Sequence, residues 1–84
     1  MPKLVNIGYN NMIAVSKIVA IVGRNSHPIK RLIGEARSIG KLIDATCGRK
    51  TRTVIITDNG HIILSALSPQ TAASKLSTGE HHEP

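Results

Sequence analysis

The run CGRKTR, residues 47–52, holds Arg49, Lys50 and Arg52, three of the eleven Lys and Arg residues in a chain of 84. No Asp or Glu lies between Asp44 and Asp58 to neutralise them, and the flanking segments, LIDAT and TVIITD, are apolar and β-branched. The cluster therefore falls on a connection between two strand-like segments, read here as a hairpin turn with Arg49 and Lys50 at its tip and Arg52 on the following strand. Long cationic side chains in such a place reach phosphates without disturbing a core. The competing reading is a solvated turn, made basic to keep strand edges apart. Lys17 interrupts an apolar stretch, so it must project outward, either toward the same anion or as an isolated surface lysine. A third group, Lys30, Arg31, Arg37 and Lys41, shares a helical segment with Glu35. Lys30 and Arg31, near the helix start, can supplement an anion site, while the rest of such a face is ordinarily solvated. Arg31 and Glu35 are spaced for a weak i,i+4 pair.

Other chemistries lack their residues. His27, His61, His81, His82 and Cys47 have no metal-ligand spacing, so no metal or other cofactor is expected. The acids Glu35, Asp44 and Asp58 fall on separate elements, and no nucleophile has an evident base and orienting partner, so no catalytic residue and no small-molecule substrate are expected. Phosphate-cradling glycine loops and the GxxG loop of a KH domain are missing. A helix-turn-helix needs two adjacent helices, which the order of elements does not supply.

Composition narrows the partner. The formal net charge is +6 with a pI near 10.1, which suits a polyanion, nucleic acid before an anionic membrane. Tyr9 is the only aromatic residue. Surfaces that bind single strands stack bases on several rings, so the charge is better aimed at a duplex backbone. No run is apolar enough to span a bilayer, the start MPKLVNIG has no secretory layout, and one cysteine forms no internal disulfide. A cytoplasmic protein is expected.

The elements that hold these residues are legible in outline. KLVNI and MIAV are short strands around the turn GYNN, and IVAIV is a third. Ser26 caps a helix with Pro28 in its first turn, in which Ile29, Leu32, Ile33, Ala36 and Ile39 form an apolar stripe ending at Gly40. Gly34 weakens this helix and suggests close packing on a neighbour. KLIDATC, TRTVIITD and HIILSAL follow as a three-strand meander, with Asn59-Gly60 as a hairpin signal. Ser68-Pro69 opens a short final helix, and STGEHHEP reads as a fraying polar tail. The expected fold is α+β, a small, mainly antiparallel sheet with two helices and no helix-turn-helix, forming one domain over residues 1–77 and a tail over 78–84. With 40% hydrophobic residues in so short a chain, self-association is expected.

The stretches NIGYNN, HPIKRLIGEARSIGKLIDATCGRKTR and HIILSALSPQTAASKL together resemble the RemA family of small bacterial extracellular matrix regulatory proteins, from about Lys3 to Leu76. The resemblance implies a LytTR-like fold and a DNA-binding transcriptional regulator that activates biofilm-matrix genes from the nucleoid. It further implies subunits closing into an octamer-like ring around which double-stranded DNA wraps. The DNA-contacting positions it implies fall on Lys17, Arg49 and Lys50. Only Arg49 matches the Arg of the family pattern, because Lys17 and Lys50 keep the charge but lose the bidentate fork. Two other classes remain open: a structured-RNA-binding or ribosome-associated protein, and a self-assembling structural protein whose basic turns serve solubility.

Overall fold

Alternation along two apolar runs determines the layers. In TVIIT, Val54 and Ile56 face one way and Ile55 the other; in IILS, Ile62 and Leu64 share the first side and Ile63 the second. Strands buried on both faces need two covers. The computed structural model describes the backbone of residues 3–81 and the side chains of residues 3–75. In it these runs are β5 (Thr53–Thr57) and β6 (Ile62–Ser65), the central strands of a four-stranded sheet. β3 (Ile18–Gly23) lies antiparallel outside β5, and β4 (Leu42–Asp44) lies outside β6, giving the order β3-β5-β6-β4. One cover is a hairpin of β1 (Leu4–Asn6) and β2 (Met12–Ala14), which packs Val5, Ile7 and Ile13 onto Ile55 and Ile63. The other is α1 (His27–Ser38), which packs Ile29, Leu32, Ile33 and Ala36 onto Val54, Ile62 and Leu64. α2 (Pro69–His81) lies against β1 and β3, with Ala72 buried. The class is α+β with mainly antiparallel pairing, and among the described residues there is no helix-turn-helix.

The expected meander does not form. β4 pairs parallel with β6, as Leu42 with Ile62 and Asp44 with Leu64. CGRKTR is therefore part of a crossover that passes the end of β6 to reach β5, and not a hairpin turn. Burial explains the order. TVIIT carries no charge and fills a central position, where Val54 and Ile55 have no exposure. LID carries Asp44, which an edge strand leaves in water, whereas a central one would bury it. The β5–β6 hairpin does form. The Gly60 N–H donates to the Thr57 carbonyl (3.2 Å), and Gly60 takes φ +86°, so Asn59-Gly60 closes a three-residue loop and not a two-residue one.

Helix α1 starts and stops as its sequence predicts. Ser26 Oγ accepts from the Ile29 N–H (3.3 Å). At the far end the Lys41 N–H donates to the Ala36 carbonyl (2.8 Å), the Gly40 N–H donates to the Arg37 carbonyl (3.4 Å), and Gly40 has φ +75°, the paired bonds of a Schellman motif. Two expectations fail here. Ile39 is 68% exposed, because it is the C-cap and its non-helical φ of −106° turns it off the stripe. A Cβ on Gly34 would meet nothing within 4 Å, so this glycine serves no close packing within the subunit. The final helix is also longer than expected. It runs on through residues 77–81, with no proline after Pro69 until Pro84 to end it. Residues 82–84 of the expected tail lie outside the described residues.

The β1–β2 cover and the bend before α2 are tied to the sheet through Ser65, which is fully buried. Its hydroxyl donates to the Ile7 carbonyl (2.9 Å) and accepts from the Leu67 N–H (3.1 Å), while Thr53 Oγ1 donates to the Leu67 carbonyl (2.6 Å). Ser65→Ala strands the half-buried Leu67 N–H and the buried Ile7 carbonyl and should cost roughly 2 kcal/mol in urea unfolding. Gly34→Ala, on an open helix face, should raise stability by about 0.5–1 kcal/mol in the same assay.

Candidate nucleic-acid interface

The crossover after β4 is built by hydrogen bonds at its start. The Asp44 carboxylate accepts from the Thr46 N–H (2.9 Å) and the Thr46 hydroxyl (2.6 Å). The Arg49 N–H donates to the Thr46 carbonyl (3.0 Å), closing a turn whose central residues, Cys47 and Gly48, have φ +55° and +81°. The chain rejoins the sheet where the Arg52 N–H donates to the Ser65 carbonyl (2.9 Å). Arg49 and Lys50 are thus exposed at a tip whose backbone is pinned on both sides.

A second turn lies beside the first. In the β1–β2 hairpin the Asn11 N–H donates to the Gly8 carbonyl (3.0 Å), with Tyr9 and Asn10 at φ +52° and +65°. Asn11 Nδ2 donates to the Gly8 carbonyl (2.9 Å) and reaches the Ala45 carbonyl (3.4 Å), bridging the two turns. The Arg49 guanidinium carbon lies 5.7 Å from the centre of the Tyr9 ring.

Further cations reach the same end of the sheet. A cleft of about 380 Å³ is lined by Arg24, Lys30, Arg37 and Lys50, with Thr51 beside them and Ile33 and Leu64 as its apolar wall. A second cleft of about 300 Å³ shares Arg24, Lys50 and Thr51 with the first and adds Arg52. Among the described residues neither has an acidic side chain in its lining. Of the expected site residues, Lys50, Arg52 and Lys30 line these clefts, while Arg49 lines neither and adjoins them only as the neighbour of Lys50 on the crossover. Arg31 is exposed on α1 and lines neither cleft, and its spacing with Glu35 produces no ion pair among the described residues. Arg37, expected on a solvated helix face, and Arg24, which carries no motif, join the group. The signal for Arg24 lies in strand pairing: Gly23 is opposite Thr53, which sets Arg24 beside Arg52.

Lys17 is elsewhere. It precedes β3, and its carbonyl accepts from the Asp58 N–H (2.9 Å) at the far end of β5. At about 3.3 Å per residue the six residues of β3 hold it roughly 20 Å from Arg24. A single subunit does not present Lys17, Arg49 and Lys50 on one rim, because β3 spans the full sheet between them. Lys17 Nζ lies 3.8 Å from Asp58 Oδ2, with both side chains largely exposed, so the pair contributes little to stability. Lys41 also sits at this end, donating to the Asn59 carbonyl (3.1 Å). Among the described residues no group of three His, Cys, Asp or Glu could hold a metal ion, and no helix is long and apolar enough to cross a membrane.

Relatives decide the family. The sequence matches the RemA-like family, described as extracellular matrix regulatory protein A-like, over residues 4–76. The chain belongs to the RemA-like family. Similar members include a candidate regulatory protein of Heliobacterium modesticaldum, 60% identical over 82 residues that cover 95% of this chain and 90% of that one. Another, of Clostridium botulinum, is 59% identical over 78 residues, covering 93% and 88%. A third, of a Synechococcus strain, is 55% identical over the same length and coverage. These RemA-like relatives are named for regulation and not for a reaction.

The hydrogen bonds from Thr46, hydroxyl first and then backbone, hold the Asp44 carboxyl below its usual 3.8, and the charge of Arg37 acts in the same direction. A carboxylate with a depressed folded pKa stabilises the fold above its unfolded pKa, and that contribution is lost as pH falls through the folded value. The Thr46 amide resonance should therefore move from its bonded position with a midpoint below pH 3.8, and Asp44→Asn should produce much of that change at neutral pH.

Proposed function

We propose that this RemA-like chain is a transcriptional regulator that binds double-stranded DNA through the phosphate backbone. The observation that carries the reading is the convergence of cations from three separate parts of the chain at one end of the sheet. These are Arg24 after β3, Lys30 and Arg37 on α1, and Lys50 and Arg52 on the crossover with Arg49 next to Lys50; among the described residues no acidic side chain lines the clefts these cations share. Such a cluster repels itself and is relieved by a polyanion. Contacts of this kind orient a duplex and carry little sequence information, so selectivity follows from DNA deformability and from the spacing of repeated patches.

Repetition comes from assembly. Leu4 and Met12 are 56% and 54% exposed on the outer face of the β1–β2 hairpin, whose inner face is already packed. Covering such residues favours association into the ring, octamer-like, that the family resemblance implies. Adjoining subunits in a closed ring are related head to tail. That arrangement can bring the Lys17 end of one subunit toward the crossover of the next, and so restores Lys17 to the site. A duplex bent along the rim then engages several weak patches at once, and avidity supplies the affinity. Activation of matrix genes from a nucleoid-associated position in the cytoplasm is the biological role this reading assigns.

Salt dependence tests it. Each neutralised phosphate adds about −0.9 to the slope of log K against log salt. Arg49→Ala should weaken duplex binding and flatten that slope by about 0.9 for each subunit in contact, in titrations of one duplex between low and physiological salt. Unchanged affinity and slope would remove the crossover from the interface. Preference for an RNA duplex of equal length would favour the structured-RNA reading.

A further inference from the structure

Tyr9 stands where its residue type is least expected. Its φ of +52° is left-handed, a region that glycine enters freely and a bulky side chain enters only at a cost. Its neighbours Gly8 and Asn10 suit such angles; Tyr9 does not. Nor does burial compensate, since the residue is 48% exposed. Strain held at an exposed, rigid turn points to a task for the side chain.

The nearest task is on the adjacent turn. The Arg49 guanidinium carbon lies 5.7 Å from the Tyr9 ring centre, within the range of a cation–π contact. Arg49 makes no ion pair among the described residues. The two turns are fixed relative to each other by Asn11, whose Nδ2 reaches the carbonyls of Gly8 and Ala45. The chain thus places the ring of a residue with a strained backbone beside the cation on which the DNA reading most depends, and braces both backbones.

The geometry points to Tyr9 as a positioning residue for DNA binding: its ring face holds the Arg49 guanidinium, so that the N–H edge is presented outward to a phosphate. This rests on the duplex-binding reading above. A free arginine loses rotamer freedom when it grips a phosphate, and one already held by a ring loses less. The guanidinium stays charged and keeps its in-plane donors while its face rests on the ring, because the two interactions use different parts of the group.

Glycine at this position separates folding from function. Tyr9→Gly suits the backbone angle, so the unfolding midpoint should hold or rise. Duplex affinity should fall by about two- to fivefold per subunit in contact, with a flatter salt slope than the parent protein. Tyr9→Phe keeps the ring and should bind as the parent does. In an Arg49→Ala background, Tyr9→Gly should cost nothing further, because its effect passes through Arg49. Parent-like binding by Tyr9→Gly, a phenylalanine variant as weak as the glycine one, or additive losses in the double variant would each overturn the inference. Failure of the parent protein itself to bind the duplex at low salt would instead overturn the DNA reading on which the inference rests. The side-chain proton shifts of Arg49 separate that case, because the Tyr9 ring current should displace them without DNA and Tyr9→Gly should abolish the displacement.

Discussion

The structure depends on two strands that cannot face water on either side. Val54 and Ile55 are fully buried, and Ile62, Ile63 and Leu64 nearly so. Alternate residues of β5 and β6 therefore need a cover on each face, and a chain of 84 residues has little to spend on both. It uses one amphipathic helix on one side and a short two-stranded ribbon on the other. On the outer face of that ribbon Leu4 and Met12 remain exposed. The pressure to self-associate and the need to cover a two-faced sheet have the same origin.

The same constraint shapes the basic end. With β5 central, the chain leaving β4 at the edge must cross the end of β6 to enter it. That crossing takes CGRKTR past the tip of the ribbon on one side and toward the start of α1 on the other. The ribbon supplies Tyr9 and Asn11; the helix supplies Lys30 and Arg37. A hairpin turn would have carried Arg49 and Lys50 away from both. The crossover is thus both the solution to a burial problem and the means by which separate cations meet. Ser65 lies beneath this arrangement, joining β6 to the ribbon and to the bend before α2 through buried hydrogen bonds.

Much of this was legible in the sequence where local chemistry decides. Ser26, Pro28 and Gly40 mark the ends of α1, Asn59-Gly60 marks the β5–β6 loop, and the apolar runs mark the strands. Local chemistry does not decide which strands become partners. LIDAT, GRK and TRTVIITD look like a hairpin, since nothing local distinguishes a return beside the previous strand from a crossing to a further one. Ile39 fits the helical period, yet the cap residue leaves the helical path. Arg24 carries no motif and enters the cluster only through the pairing of β3 with β5. Tyr9, as the only aromatic of the sequence, argues against base stacking, while its positive φ and its arginine neighbour arise only in the packed turns.

By itself the sequence determined the class of the fold, the concentration of charge in CGRKTR, the absence of aromatic stacking surfaces and the membership of the RemA-like family. These follow from composition, from short-range periodicity and from residues read in order. Tertiary structure alone decided which cations share a surface. It took Lys17 to the opposite end of the sheet, drew Arg24, Lys30 and Arg37 to the crossover, and set Tyr9 against Arg49. The reason is physical: strand order is chosen by which segments can be buried on both faces, and that comparison is made across the whole chain and not within any stretch of it.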